Sequence, residues 1–136
     1  MRLLLSVLVC LLLLPSCKKT VAKAQENALM DLITNGQWKV TRYNKGASNI
    51  TPDFADYKFQ FRSNGTVEAI RNGSIEKAGT WAGNVTTKTI DSYFADANEA
   101  LTLLNGTWQV NKTSTTFVES SQQVNGESRM LRLDKL

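Results

Sequence analysis

Five of the eight glycines in this 136-residue chain follow an asparagine, at Asn35-Gly36, Asn64-Gly65, Asn72-Gly73, Asn105-Gly106 and Asn125-Gly126. Asn and Gly adopt positive φ at the least cost, so the pair marks tight reversals of the chain. Between these marks the apolar residues recur with a period of two. Tyr57, Phe59 and Phe61 alternate with Lys58, Gln60 and Arg62, and after Asn64-Gly65 comes Thr66-Val67-Glu68-Ala69-Ile70. This reads as a β-hairpin with a type I′ turn. Eight strands are predicted in all: Gln37 to Asn44, Asp56 to Ser63, Thr66 to Asn72, Glu76 to Asn84, Thr86 to Phe94, Thr107 to Lys112, Ser114 to Ser120 and Ser128 to Asp134. Neither of the two prolines, Pro15 and Pro52, interrupts any of them.

Two segments break the alternation. Ala28, Leu29, Leu32 and Ile33 recur at helical spacing before Asn35-Gly36, which predicts a short helix from Ala24 to Thr34. Ala97, Ala100, Leu101 and Leu104 have the same spacing, so Ala95 to Asn105 is read as a short helix or plug capping one end of the sheet. Eight short antiparallel strands can build a sandwich or a closed barrel. Closure removes both sheet edges, and the tight hairpins pair each strand with its neighbour, so the expected fold is mostly β, an eight-stranded antiparallel up-and-down barrel. Alternation turns Trp38, Val40, Tyr57, Phe59, Phe61, Val67, Trp81, Ile90, Phe94, Trp108, Val110, Phe117, Leu131 and Leu133 inward. That list is bulky enough to fill such a barrel, leaving at most a shallow pocket near the mouth. The loop Lys45 to Ala55, with Phe54 at its end, lies where a lid over the mouth belongs.

Ahead of the barrel, residues 1 to 16 read as a secretory signal peptide: Arg2, an apolar run from Leu3 to Leu14, then small residues. A run of this length is shorter than the about 20 residues a spanning helix needs. Leu14-Pro15-Ser16-Cys17 resembles the lipobox of bacterial lipoproteins, with Leu14, Ser16 and Cys17 matching and Pro15 departing from the usual residue. The resemblance implies cleavage before Cys17, acylation of that cysteine with palmitate-type chains, and loss of Cys10 with the signal. Residues 17 to 28 then form a lipid-anchored tether and 29 to 136 the barrel domain. Each acyl chain contributes about 0.8 kcal/mol per buried methylene, so two or more hold a protein on the membrane almost permanently. Lys18, Lys19 and Lys23 add attraction to anionic head groups. Lys18, a residue other than Asp after the cysteine, implies sorting to the outer membrane by the same resemblance.

The three tryptophans share one setting: Gly36-Gln37-Trp38, Gly79-Thr80-Trp81 and Gly106-Thr107-Trp108. The first resembles the Gly-x-Trp signature of lipocalin and calycin barrels, where Trp on the first strand plugs the closed end after a short helix. The other two resemble the Gly-Thr-Trp strands of the lipocalin-like domain of many bacterial outer-membrane lipoproteins. This resemblance covers residues 29 to 135. It implies an Arg packed over Trp38, for which Arg129 or Arg132 is available.

Inventory narrows function further. The chain has no histidine, and both cysteines, Cys10 and Cys17, precede the domain, which removes ordinary catalytic triads and zinc sites. The closest acidic pairs, Asp53 with Asp56 and Asp96 with Glu99, are read as solvated loop carboxylates, so no metal and no cofactor is expected. A net charge of +4 without a basic cluster gives no nucleic-acid footprint. Six Asn-x-Ser/Thr triplets, at Asn49, Asn64, Asn72, Asn84, Asn105 and Asn111, follow from Asn turns before Thr-rich strands and are not read as glycan sites. The expected protein is a non-enzymatic, membrane-anchored binding module. One form binds a small apolar or amphipathic ligand through Trp38, Tyr57, Phe59, Phe61, Trp81, Phe94, Trp108 and Phe117. The other is a protein-binding accessory subunit or inhibitor whose barrel core is filled.

Overall fold

The computed structural model describes residues 16–136, with side chains from Val21 onward. The leader and Cys10 lie outside the described residues, and Cys17 is described by its backbone alone. Helix α1 spans Ser16–Thr34, followed by β1 (Trp38–Lys45), a two-residue β2 (Ser48–Asn49), a 3-10 turn (Thr51–Phe54), β3 (Tyr57–Phe61) and β4 (Thr66–Arg71). Then come β5 (Ser74–Asn84), β6 (Thr89–Tyr93), α2 (Glu99–Thr102), β7 (Gly106–Thr113), β8 (Phe117–Val124) and β9 (Glu127–Lys135).

Apart from β2, each strand pairs antiparallel with its neighbour in the chain, and β9 returns to β1 along seven residue pairs from Trp38↔Lys135 to Lys45↔Arg129. The result is a closed eight-stranded antiparallel barrel. The seam between β1 and β3 is narrow, with only Trp38↔Phe59 in register. Above it, β2 and the 3-10 turn fill the gap: Ile50 N–H donates to the Tyr43 carbonyl (2.9 Å) and Tyr43 N–H to Thr51 Oγ1 (2.9 Å).

Helix α1 is longer than the predicted Ala24 to Thr34, and the segment read as a tether continues it upstream. From Ser16 to Thr34 there is neither Gly nor Pro, and Ala, Lys, Gln, Glu, Leu and Met are good helix formers. Val21 to Ala28 are exposed, and Leu29, Met30 and Ile33 pack onto the barrel. Gly36, at φ +85°, ends the helix and turns the chain into β1.

The Asn-Gly hairpin turns divide into two kinds. Asn72-Gly73 (φ 52° and 78°) and Asn125-Gly126 (φ 50° and 81°) have the two successive left-handed residues of a type I′ turn. The turn between β3 and β4 does not, contrary to expectation. There only Gly65 has positive φ (+87°), Gly65 N–H donates to the Arg62 carbonyl (3.1 Å) and Arg62 N–H to the Thr66 carbonyl (2.8 Å). This is a type I turn closed by a left-handed glycine.

Helix α1 and the turns β3–β4, β5–β6 and β7–β8 gather at one end of the barrel. The 3-10 turn, α2 and the turns β4–β5 and β8–β9 gather at the other. Helix α2 is shorter than the predicted Ala95 to Asn105. Asp96 is in left-handed backbone (φ 49°) and the Asn98 side chain caps Leu101 N–H (3.0 Å), so the helix starts only at Glu99.

Candidate functional site

A binding barrel presents its interior, so the site is built from the inward side chains. Trp38, Val40, Tyr57, Phe59, Phe61, Val67, Trp81, Phe94, Trp108 and Leu131 are buried, and Ile90, Val110 and Leu133 pack against them, as alternation predicts. Phe117 is the exception. It pairs with Asp134 and lies under the Arg132 guanidinium, 4.2 Å from its ring centroid, while the next residue, Val118, is buried opposite Leu133. The inward face of β8 is therefore Val118, Ser120 and Gln122, and Phe117 belongs to the outer wall. Arg132 is fixed over it by carboxylates, with Glu119 accepting at 2.8 Å and Asp134 at 2.8 Å and 3.0 Å.

Among the core residues absent from the predicted interior, three fill the end opposite α1. Tyr43 is fully buried, because a bulge between Val40 and Arg42 shifts the alternation of β1 by one residue. Phe54 is fully buried and stacks on Tyr43 at 5.2 Å. The loop Lys45 to Ala55 therefore folds into the core as a plug and does not cover the mouth as a lid. Leu101 of α2 is 1% exposed, which makes α2 the second plug of the same end.

Each of the three indoles ties a closure in place by donating to a backbone carbonyl. Trp38 Nε1–H donates to Ile33 in the last turn of α1 (2.8 Å), Trp108 Nε1–H to Leu104 after α2 (2.9 Å), and Trp81 Nε1–H to Arg62 in the β3–β4 turn (2.9 Å). A buried indole needs such a partner, so these bonds fix cap to barrel as well as satisfying the ring. The tyrosine hydroxyls act alike. Tyr43 donates to the Leu103 carbonyl (2.7 Å), and burial pushes its phenol up from the ordinary value. Tyr57 donates to the Glu76 carboxylate and accepts from Asn98 Nδ2 (2.7 Å).

The expected arginine over Trp38 is instead a lysine. Lys135 Nζ sits 5.1 Å from the Trp38 ring and donates to the Leu32 carbonyl of α1 (2.9 Å). Arg129 lies toward the opposite end, pairing with Glu127 (3.0 Å), and Arg132 covers Phe117. The β1–β9 register places Lys135 beside Trp38, and that register is not legible before the barrel closes.

What remains inside is a cavity of about 50 Å³, lined by Trp38, Phe59, Phe61, Phe94 and Trp108 among others, with Ser92 and Ser120 its polar members. Tyr57 and Trp81, though buried, do not border it. Ser92 Oγ is spent on the Leu104 carbonyl. A water needs roughly 10–15 Å³ by this measure, and drug-sized ligands occupy about 300–1,000 Å³. The interior thus has room for a few water-sized molecules. Among the described residues, no group of three or more Cys, Asp or Glu comes together.

These features define a closed antiparallel barrel with a filled core and both ends plugged. The fold is similar to the crystal structure of a duf4847 family protein from Bacteroides vulgatus, with a TM-score of 0.56 and 13% identity over 78% of this chain and 96% of that one. No family model and no curated protein matches the chain.

Proposed function

We propose that this chain is a lipid-anchored protein of the bacterial cell envelope, sorted to the outer membrane, whose barrel is a non-enzymatic module for binding a protein partner. The partner meets the outer wall, and no ligand is carried inside. The observation that carries this reading is the interior of about 50 Å³, with α1 packed across one end and Phe54 and α2 across the other. A carrier for an amphipathic molecule needs several times that space and a route to it. The lipobox-like Leu14-Pro15-Ser16-Cys17 supports the anchor, as does the exposed course of α1 from Val21 to Ala28. The absence of histidine supports a non-enzymatic role. On the outer wall, Tyr93 is 58% exposed beside a groove lined by Thr80, Ala82, Asp91 and Thr107. An exposed tyrosine at a groove is the kind of anchor that protein interfaces favour.

Titration with an apolar naphthalene-type fluorescent probe tests the reading, because Trp38 and Trp108 line the cavity and report its occupancy. The expected result is no saturable binding and unchanged tryptophan emission. Saturable one-to-one binding that quenches the tryptophans, and is lost when Val67→Phe fills the cavity, would overturn it in favour of a small-ligand carrier.

A further inference from the structure

We infer that the α1 end of the barrel is itself a docking face for an anionic lipid bilayer, so that the anchor and the barrel grip the same membrane. The inference rests on the anchored reading above and adds a surface that the anchor does not require.

Helix α1 crosses this end and leaves it beside the β5–β6 turn. Lys23 and Glu26 line a groove with Asn84, Val85 and Thr86, and Gln25 and Leu29 share the adjoining groove with Lys88 and Lys112. Three lysines from three elements, Lys23, Lys88 and Lys112, thus surround the point where the helix departs. All are exposed, and no ion pair among the described residues engages any of them. The Lys112 ammonium lies over the Phe117 ring, 5.9 Å from its centroid, a contact that does not neutralise its charge. Cys17 is five residues upstream of Ala22 on the same helix, about 7–8 Å at 1.5 Å per residue. That is comparable to the Debye length of about 8–10 Å over which exposed charges act, so an acyl chain on Cys17 brings the Lys23 turn of the helix within range of the head groups, with Lys88 and Lys112 in the groove beside it.

Carboxylates at this end are few or already engaged. Glu26 and Asp31 of α1 are exposed, Glu68 is held by Arg62, and Glu119 and Asp134 by Arg132. The opposite end carries Asp53, Asp56, Asp96 and Glu99, exposed and outside the ion pairs among the described residues. Lys45, Lys58 and Lys77 are the lysines there, Lys58 sharing a groove with Asp56 and the β4–β5 turn and Lys77 Nζ donating to the Asp96 carbonyl (3.3 Å). Arg2, Lys18 and Lys19 account for three of the chain's net +4, so residues 21–136 are almost neutral overall. Their free lysines nonetheless cluster where the helix leaves, whereas at the far end lysines and free carboxylates are mixed. This arrangement orients a barrel on an anionic surface. No exposed aromatic lines the two grooves for base stacking, so a bilayer fits them better than a nucleic acid.

The test uses the acylated full chain in phosphatidylcholine vesicles with and without phosphatidylglycerol. With Cys17 acylated, a cysteine introduced by Thr87→Cys at the β5–β6 turn, or by Gln123→Cys toward the far end, is the free thiol for a donor dye. Energy transfer to a head-group acceptor reports proximity. Transfer from position 87 should exceed that from position 123 in anionic vesicles, and should fall to the neutral-vesicle level in high salt. The double variant K88E/K112E should shift the docked fraction at least about tenfold toward undocked. Equal transfer from the two positions overturns the docking face and leaves the anchor standing, as does contact indifferent to salt and to K88E/K112E. A protein that floats with neither vesicle overturns the anchored reading and the docking face together. Protection of position 87 by RNA, with no response to phosphatidylglycerol, also overturns the assignment of the surface to lipid.

Discussion

Trp38→Ala should be among the most damaging single substitutions in this barrel. The side chain is 1% exposed, borders the cavity, and joins three elements through its bond to Ile33 and the Lys135 ammonium over its ring. A buried tryptophan covers about 200 Å², which at about 25 cal/mol per Å² amounts to about 5 kcal/mol. Compactness of the unfolded chain lowers this by roughly 10–40%. The Ile33 carbonyl, left without its indole donor, adds about 1 kcal/mol back. The expected loss is therefore about 4–5 kcal/mol, within the range of about 3–5 kcal/mol typical of large aromatic truncations. Urea unfolding followed by circular dichroism measures it. Trp38→Phe keeps most of the packing and loses the N–H donor, so it should cost about 1–2 kcal/mol. A loss below about 1 kcal/mol for Trp38→Ala would refute the argument, because a residue that welds α1 to the barrel cannot be removed so cheaply.

Four further outcomes are expected. Gly79→Ala places a Cβ 2.5 Å from the Tyr93 carbonyl oxygen and 2.7 Å from the Phe94 ring, backbone and core that cannot yield easily. It should cost about 1–3 kcal/mol, and an unchanged melting temperature would contradict the close approach of β5 to β6. Lys135→Met should accelerate amide exchange in the last turn of α1 by removing the donor to Leu32, whereas Arg129→Met should leave that turn unaffected. The Arg132 guanidinium holds the Asp134 carboxyl below the ordinary carboxylate range, with Thr41 donating to it as well. A carboxylate lowered on folding contributes stability above its unfolded pKa, near pH 4, and loses it as pH falls through the lower folded value. Denaturation at stepped pH should therefore show wild type weakening below about pH 4 and Asp134→Asn responding less steeply there. Cys17→Ala should move the protein out of the membrane fraction, and a variant that still incorporates labelled palmitate would disprove the anchor.

Where alternation was unambiguous, the sequence located the barrel closely. The Tyr57 to Ile70 hairpin needs no tertiary information, since Tyr57, Phe59 and Phe61 share one face of β3 and Val67 and Ala69 the matching face of β4. The misses come from places where parity breaks or carries no signal. A bulge in β1 moves the inward position from Arg42 to Tyr43, and nothing in Trp-Lys-Val-Thr-Arg-Tyr announces the extra residue. In β8 the inward face is Val118, Ser120 and Gln122, less apolar than the Phe117 it replaces, so burying the largest side chain chose the wrong face. Phe54 was hidden by its loop, although Pro52 and the Asn49 side chain accepting from Thr51 N–H (3.0 Å) prepare the tight turn that inserts it. Of the three Gly-x-Trp settings only the first reads as a closure; the carbonyls that all three indoles reach, on the caps and in the β3–β4 turn, emerge only from the fold.

Native mass spectrometry of the acylated protein, released in mild detergent and checked by solvent extraction, tests the closed and filled barrel most directly. With about 50 Å³ inside, the protein should carry its acyl chains and no further small molecule in stoichiometric amount. A second mass of a few hundred daltons that survives gentle release and disappears in Val67→Phe would contradict the account, and would show a barrel that opens to hold cargo.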